Sequence, residues 1–545
     1  MYFCQLVLVV GAGLLARSMV AVVGGESLSA WPTPAIGLMT AALCPIASQM
    51  ADYWGRKWFL VILTGFGGIG SIIVSRATSF GMALAGFAIG GLSCVTQPLL
   101  HAVVSEVLPR KFRSWAQAAA NIAAGLGAIY ALLVGGALTA NNPQHFRIYF
   151  YTAAGLYLAV SAACVLLYNP PSREAQTISL SEKLQSLDWI GYIMGAAGVS
   201  LLCIGLSWAE NPYPWRDPHV LATFLLGVVI LMALVVYEVK FKKDGLFHHS
   251  LFRHRNFPIT LLCCYIEGSG AFAANYFVPL QLSTMYPQMD SFRVGLCYAI
   301  SWIAFLAAAL LVGQFIYKTK SVRIPAMTGF LLFLLFYILA ATSKPSTPES
   351  LFWGSMIPLG AGLGLLLISL VTAAQFATPP ELIAITSGLI LSIRSLGASS
   401  GLVIYQAVFN AGLSKNLTSK IASATLPLGL PEASLGALTL ALTSGNTAAA
   451  TEVPGVTAEI IAAAALALQK AYNIALSYVW ATAAALAFVA LVGAAAAFLR
   501  DPNDEFTAAI DAPLDIVVVV ADSELEAEDK VVAQQMDLSL DGDGF

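Results

Sequence analysis

Long stretches with almost no charge recur along this chain, and they decide what it can become. Runs of about 18 or more apolar residues fall near 2–24, 31–51, 58–75, 79–104, 115–138, 148–168, 189–208, 219–238, 257–280, 294–316, 322–342, 351–376, 382–409 and 471–499. A hydrocarbon layer of about 30 Å is crossed by about 20 helical residues. Lipid offers no partner to an unpaired backbone amide, so each run is expected to be a transmembrane helix, about fourteen in all. The third run is short for a full crossing. Only 10% of the 545 residues are charged, against 58% hydrophobic. A water-facing surface needs roughly 25% charge, so a soluble multidomain enzyme is excluded and the expected fold class is all-α integral membrane.

The loops between runs alternate in charge. One set, from Arg56 and Lys57 through Arg110, Lys240, Arg253 and Lys318 to Lys530, holds seventeen basic residues; the opposite set holds eight. Basic loops stay in the cytoplasm, which places both termini there. The sequon Asn416-Leu417-Thr418 then falls in a long outer loop, 410–470, where Asn416 is a glycosylation acceptor. The first run starts at Met1 without a basic flank and carries Arg17 at depth; it reads as a true span, a signal-like sequence or the start of a truncated chain. From Arg500 onward thirteen acids face two bases, the composition of a solvated, disordered tail unsuited to nucleic acid. The eight cysteines all sit in apolar runs without CxxC spacing, as small core residues rather than disulfide or zinc ligands.

Six spans, then two, then six suggest two related bundles with an inserted pair. The expected division is an N-terminal six-helix bundle at 1–168, connections and inserted pair at 169–256, a C-terminal bundle at 257–499, and the acidic tail at 500–545. Two facing bundles permit alternating access, a midplane site opening to one side and then the other.

Between the second and third runs stands Ser48-Gln49-Met50-Ala51-Asp52-Tyr53-Trp54-Gly55-Arg56-Lys57. It resembles the signature loop G-x-x-x-D-R-x-G-R-R of the major facilitator superfamily: Asp52, Gly55, Arg56 and Lys57 match, while Ser48 and Tyr53 depart. A tight turn needs Gly55, basic residues suit the headgroup side, and Asp52 can latch a helix N-terminus or a basic group; the loop is expected to form the inner gate. In the fifth run Gly127, Gly135 and Gly136 resemble the antiporter motif G-x-x-x-G-P-x-x-G-G, with Ala131 and Leu132 in place of Gly-Pro; close helix packing explains the same spacing. Wider segments, Val95–Lys111, Ser392–Gly401, Asn211–Trp215 and Gly245–His249 among them, resemble the fungal trichothecene efflux pump family over roughly 30–505. That resemblance implies a fourteen-span major facilitator fold at the plasma membrane that exports hydrophobic toxins or drugs against protons; related members take up ferric siderophores. The first run does not carry the family pattern.

A charge at mid-span costs about 2.5–3.5 kcal/mol on insertion scales, so each needs a partner or a function. Glu267, about ten residues into the ninth run, is the candidate proton carrier; Arg394, a dozen residues into the thirteenth, is its possible counter-charge, a ligand for an anion, or a snorkelling residue. Gln97 and His101 share a helix face, as do Gln117 and Asn121; the first pair is a candidate cavity lining, with interhelical hydrogen bonding as the alternative. Asn275, Tyr276 and Gln281 lie in the outer half of the ninth run. His248, His249 and His254 suit a basic membrane-surface segment better than a metal site. No phosphate-binding loop G-x-x-x-x-G-K-[ST] is present, and no cofactor or metal is expected. Nor is an enzyme, since no set of His, Asp or Ser gathers at one depth. A receptor or sensor on the same scaffold would need a structured cytoplasmic domain. The expected partners are a hydrophobic small molecule, protons and the bilayer, with the chain acting as a monomer.

Overall fold

Short polar side chains stand just ahead of many apolar runs and fix where the helices begin. Ser79 accepts the amide of Met82 at 3.3 Å, Asp188 that of Gly191 at 3.0 Å, Asp290 that of Arg293 at 2.8 Å and Thr457 that of Ile460 at 3.2 Å. Each satisfies a donor the helix itself leaves open. The computed structural model describes residues 1–25, 31–107, 112–170, 179–209, 213–242, 251–252, 256–376, 378, 382–443 and 451–496, and no strand occurs among them. The tail at 500–545 and His248, His249 and His254 lie outside the described residues.

The helices are α1 (Tyr2–Leu14), α2 (Ala16–Val23), α3 (Pro32–Trp54), α4 (Arg56–Ser75), α5 (Phe80–Gly91), α6 (Gln97–Val107), α7 (Arg113–Thr139), α8 (Phe146–Leu167), α9 (Leu180–Ser186), α10 (Trp189–Trp208), α11 (Pro218–Lys240), α12 (Asn256–Met285), α13 (Ser291–Thr319), α14 (Arg323–Thr342), α15 (Glu349–Phe376), α16 (Ile383–Thr425), α17 (Leu435–Thr443) and α18 (Ala458–Val489). A 3₁₀ turn, Leu92–Thr96, joins α5 to α6. Among the described residues thirteen helical segments are long and apolar enough to cross a membrane, α5 and α6 counting as one through the 3₁₀ turn, and α1 with α2, bent by 60°, gives up to fourteen if that pair is one span. The third run, Arg56–Ser75, reaches 20 residues, long enough for a full span.

Two seams of small residues join the halves. At one, Gly37 of α3 lies directly against Ser399 of α16, and Gly388 against Ser48. At the other, a Cβ on Gly136 of α7 would stand 3.0 Å from the Ser291 carbonyl oxygen and 3.1 Å from the Phe292 Cα of α13. Side chains larger than these would hold the helices apart. Within the second half, Trp480 is fully buried, stacks on Tyr337 at 5.9 Å and donates its indole N–H to Gln281 Oε1 at 2.7 Å. Gln281 in turn donates to the Ala340 carbonyl at 3.1 Å, so it holds the packing together. All eight cysteines are buried and unpaired.

Most of the segment 410–470, expected as an outer loop, is helix. α16 runs unbroken for 43 residues to Thr425, and α18 already begins at Ala458. The lysines and asparagines near 415 look loop-like, yet Leu417 and Ile421 recur one turn apart and pack with Leu430, Leu438, Val453 and Ile460 in a small core of their own. At 1.5 Å per residue α16 measures about 64 Å, twice the hydrocarbon thickness. Asn416 therefore stands on a helix, its side-chain amide donating to the Gly412 carbonyl at 2.8 Å.

Candidate functional site

Glycines decide how closely α12 and α16 approach. Gly268 sits on the Arg394 backbone, Gly397 on the Tyr265 backbone and Gly401 on Ser269. Backbones this near bring Glu267 and Arg394 together in a fork: Nε donates to Oε2 at 2.7 Å and Nη2 to Oε1 at 3.2 Å. The Glu267 side chain is 1% exposed and that of Arg394 13%. Pairing offsets the cost of placing either charge at this depth.

Beside the pair lies a narrow cavity whose walls come from both halves. Tyr2, Leu6 and Val10 of α1, Gln97 of α6 and Asn121 of α7 face Phe272 and Asn275 of α12, Trp302 and Phe305 of α13 and Leu363 of α15. The lining is apolar and aromatic with a few amides, the composition of small-molecule sites generally. Arg394 reaches the wall, its guanidinium 6.0 Å from the Phe272 ring centroid. Glu267 is not among the lining residues; it lies behind Arg394.

The face shared by Gln97 and His101 also divides. Gln97 lines the cavity, whereas His101, one turn nearer the Asp52 end, bonds through Nδ1 to Gln117 Oε1 at 2.5 Å. Gln117 Nε2 donates to Gln375 Oε1 at 3.4 Å, and Gln375 donates to Ser387 Oγ at 3.4 Å. This line of amides crosses from the first half to the second between the cavity and the Asp52 end. Tyr2 connects the two regions, its ring edge-on to His101 at 5.5 Å. Asn275 lines the cavity and donates to the Val9 carbonyl at 3.3 Å.

At the Asp52 end, Gly55 takes φ 91° and ψ 143° between α3 and α4, a conformation confined essentially to glycine. Arg56, only 4% exposed, bonds Asp52 Oδ1 through Nη2 at 3.0 Å. Arg56 thus turns inward onto the motif's own acid instead of toward headgroups. Lys57 Nζ donates to Asn169 Oδ1 at 2.5 Å. The inserted pair docks here: the Tyr192 hydroxyl of α10 donates to Gln49 Oε1, and Lys183 Nζ lies 6.0 Å from the Trp54 ring centroid. Gly127 packs on the Phe3 backbone and Gly135 near Leu14 and Tyr149, while Gly136 meets α13. No group of three or more His, Cys, Asp or Glu able to hold a metal occurs among the described residues.

Tyr2, Trp302 and Phe305 escaped the sequence reading, because an aromatic in an apolar span looks like any lipid-facing or core residue. The signal was present in α13: Tyr298, Trp302 and Phe305 recur at i, i+4 and i+7, one helix face, and all three line the cavity.

Two helical halves around a mostly apolar cavity, a buried charge pair at its edge and a glycine-turned basic loop at one end define a many-span membrane protein with a transporter fold. Residues 1–402 match the Major Facilitator Superfamily, and the chain belongs to that family. It is similar to the MFS-type efflux transporter pyiT of Pyricularia grisea, 25% identical over 384 residues, 70% of this chain and 63% of that one. It is also similar to the trichothecene efflux pump TRI12 of Fusarium sporotrichioides, 24% identical over 469 residues, 82% of this chain and 75% of that one. The chain spans less than two thirds of the length of several curated relatives it matches, 63%, 65% and 66%. Among solved structures, an inward-facing, unoccupied bacterial homologue of the human lysosomal transporter Spinster superimposes with a TM-score of 0.50 at 17% identity, over 90% of this chain and 97% of that one. That likeness is in fold alone.

Proposed function

We propose that this protein is a secondary active exporter of hydrophobic small molecules, driven by proton antiport. One observation carries the reading: the Glu267–Arg394 fork is buried at the edge of an apolar cavity built by both halves. A proton arriving on a Glu267 carboxyl oxygen removes the negative charge that holds Arg394. The guanidinium is then released toward the cavity, and α16 loses its strongest polar hold on α12. Loss of that proton restores the fork. Each proton supplies about 2.3 kcal/mol per 100 mV and about 1.4 kcal/mol per pH unit, so one-for-one exchange sustains a gradient of tens to hundreds. Relatives described as efflux pumps support the outward direction.

In this reading the protein lies in the plasma membrane with both termini cytoplasmic, as the basic loops favour. The Asp52 end then faces inward and Asp52, Gly55, Arg56 and Lys57 hold the inner gate, backed by His101, Gln117 and Gln375. Gln97 and Asn275 contact the cargo, and Gly127, Gly135 and Gly136 keep α7 in close contact with its neighbours. Asn416 is a glycosylation acceptor on the outer extension of α16. The halves 1–168 and 257–499 rock within one monomer, and 169–256 is the insert.

Flux in proteoliposomes under an imposed acid gradient tests this. A panel of labelled amphiphilic toxins should be driven out of the compartment that the Asp52 end faces, and Glu267→Gln should abolish the coupling to pH. Accumulation of a ferric chelate instead would reverse the cargo. Movement of no solute at all would remove the transporter reading.

A further inference from the structure

Arg17 takes no part in the cavity beside Glu267, yet it borders a second one. At the end of the molecule opposite Asp52, a roomier opening lies between α1, α2, α12, α16, α17 and α18. Leu14, Tyr276, Phe409 and Tyr472 give it an apolar and aromatic wall, and Arg17 is its one charged lining residue among the described residues. The bend at Leu15 turns Arg17 toward α12, where Nη1 donates to Ser283 Oγ at 2.5 Å. A guanidinium carries five N–H donors, and none is paired with a carboxylate among the described residues. The two cavities are stacked. Gly13 lines the second and Asn275 the first, and a Cβ on Gly13 would stand 2.6 Å from Asn275 Nδ2, so α1 and α12 meet closely between them.

We infer that this second cavity is a binding site for amphiphilic anions, in which Arg17 holds a carboxylate or similar monoanionic head and the aromatic wall holds an apolar body. A fork of N–H donors beside an apolar surface fits such a molecule in a way that neither a cation nor a featureless hydrocarbon does. Its role as a release station above the central cavity rests on the transporter reading. The anion preference itself does not, so a binding measurement fails or succeeds independently of flux.

The test uses 1-pyrenebutyrate and 1-pyrenebutanol, matched in body and different in charge, on the full-length protein in phosphatidylcholine nanodiscs. The carboxylate should bind about tenfold tighter than the alcohol, the worth of one charge-assisted hydrogen bond, and the difference should shrink with added salt. Arg17→Gln should erase the difference, chiefly by weakening the carboxylate. Should that variant misfold, Ala21→Asp, one helical turn from Arg17 on the same wall, offers the guanidinium an internal carboxylate and should weaken the carboxylate probe selectively. Adding phosphatidylglycerol distinguishes sources: competition that depends on Arg17 assigns the site to a lipid headgroup, and its absence to a free solute. Equal binding of the two probes to the unaltered protein, or a carboxylate preference that persists in Arg17→Gln, overturns the inference.

Discussion

Arg394 holds Glu267 through two nitrogens, Nε to Oε2 at 2.7 Å and Nη2 to Oε1 at 3.2 Å, and only the arginine of the two reaches the cavity. In the proposed cycle the acid senses an occupant of the cavity through its partner. Removing one member of a buried pair costs about 3–5 kcal/mol, whereas replacing both with apolar residues is often neutral. Arg394→Leu alone should lower the thermal midpoint of the detergent-solubilised protein sharply, and the double change Glu267→Leu with Arg394→Leu should recover it. Transport driven by a pH gradient should stay absent in the double variant. Recovery of both properties would reduce the pair to a packing device.

Gly55 turns the chain at φ 91° and ψ 143°. A side chain there costs about 1–3 kcal/mol, so Gly55→Ala should lower the thermal midpoint and disturb the adjacent Asp52–Arg56 contact. Asp52→Asn, which keeps the backbone, should spare most of the stability and affect flux instead. Thermal unfolding followed by size exclusion, beside flux for each variant, separates the two effects.

Gly136 and Gly155 offer a matched pair on neighbouring helices. A methyl at Gly136 would press on the Ser291 and Phe292 backbone, whereas nothing lies within 4 Å of the same atom at Gly155. Overpacking costs about 1–3 kcal/mol, while alanine is favoured over glycine in a helix by about 1 kcal/mol. Gly136→Ala should destabilise and Gly155→Ala should be neutral or better, measured as thermal midpoints. Equal responses would mean that the α7–α13 seam is not closely fitted.

Much of this architecture was legible beforehand because bilayer thickness imposes a length and a polarity that few other constraints mimic. The Glu267–Arg394 pairing was also suggested by two mid-span charges of opposite sign. Other features were hidden for identifiable reasons. The bend at Leu15 follows no proline, and the continuation of α16 past Asn410 carries Lys415, Asn416 and Lys420. The division of Gln97 from His101 depends on how α6 sits against α7, which periodicity along a single helix does not encode.

A further expectation concerns acidity at α9. The Glu182 carboxylate accepts the Ser179 amide at 3.0 Å and its hydroxyl at 2.9 Å, and these hydrogen bonds hold its carboxyl below the usual range. A depressed carboxyl stabilises above its unfolded value, about 4.3, and that contribution is lost as pH falls through the folded one. Hydrogen exchange of a peptide covering 179–186 should therefore show cap protection steady from neutrality to about pH 5 and fading only in stronger acid. Glu182→Ala should lack this acid step altogether. The same step in both proteins would place the titration elsewhere.

The 43-residue span of α16 makes it a tiller. A single stiff rod meets α3 at one seam, carries Arg394 at mid-depth, presents Phe409 to the second cavity and anchors the small core around Ile421 beyond the hydrocarbon. Turning such a rod anywhere swings both of its ends, so an antibody fragment gripping the far core would brake chemistry that it never touches.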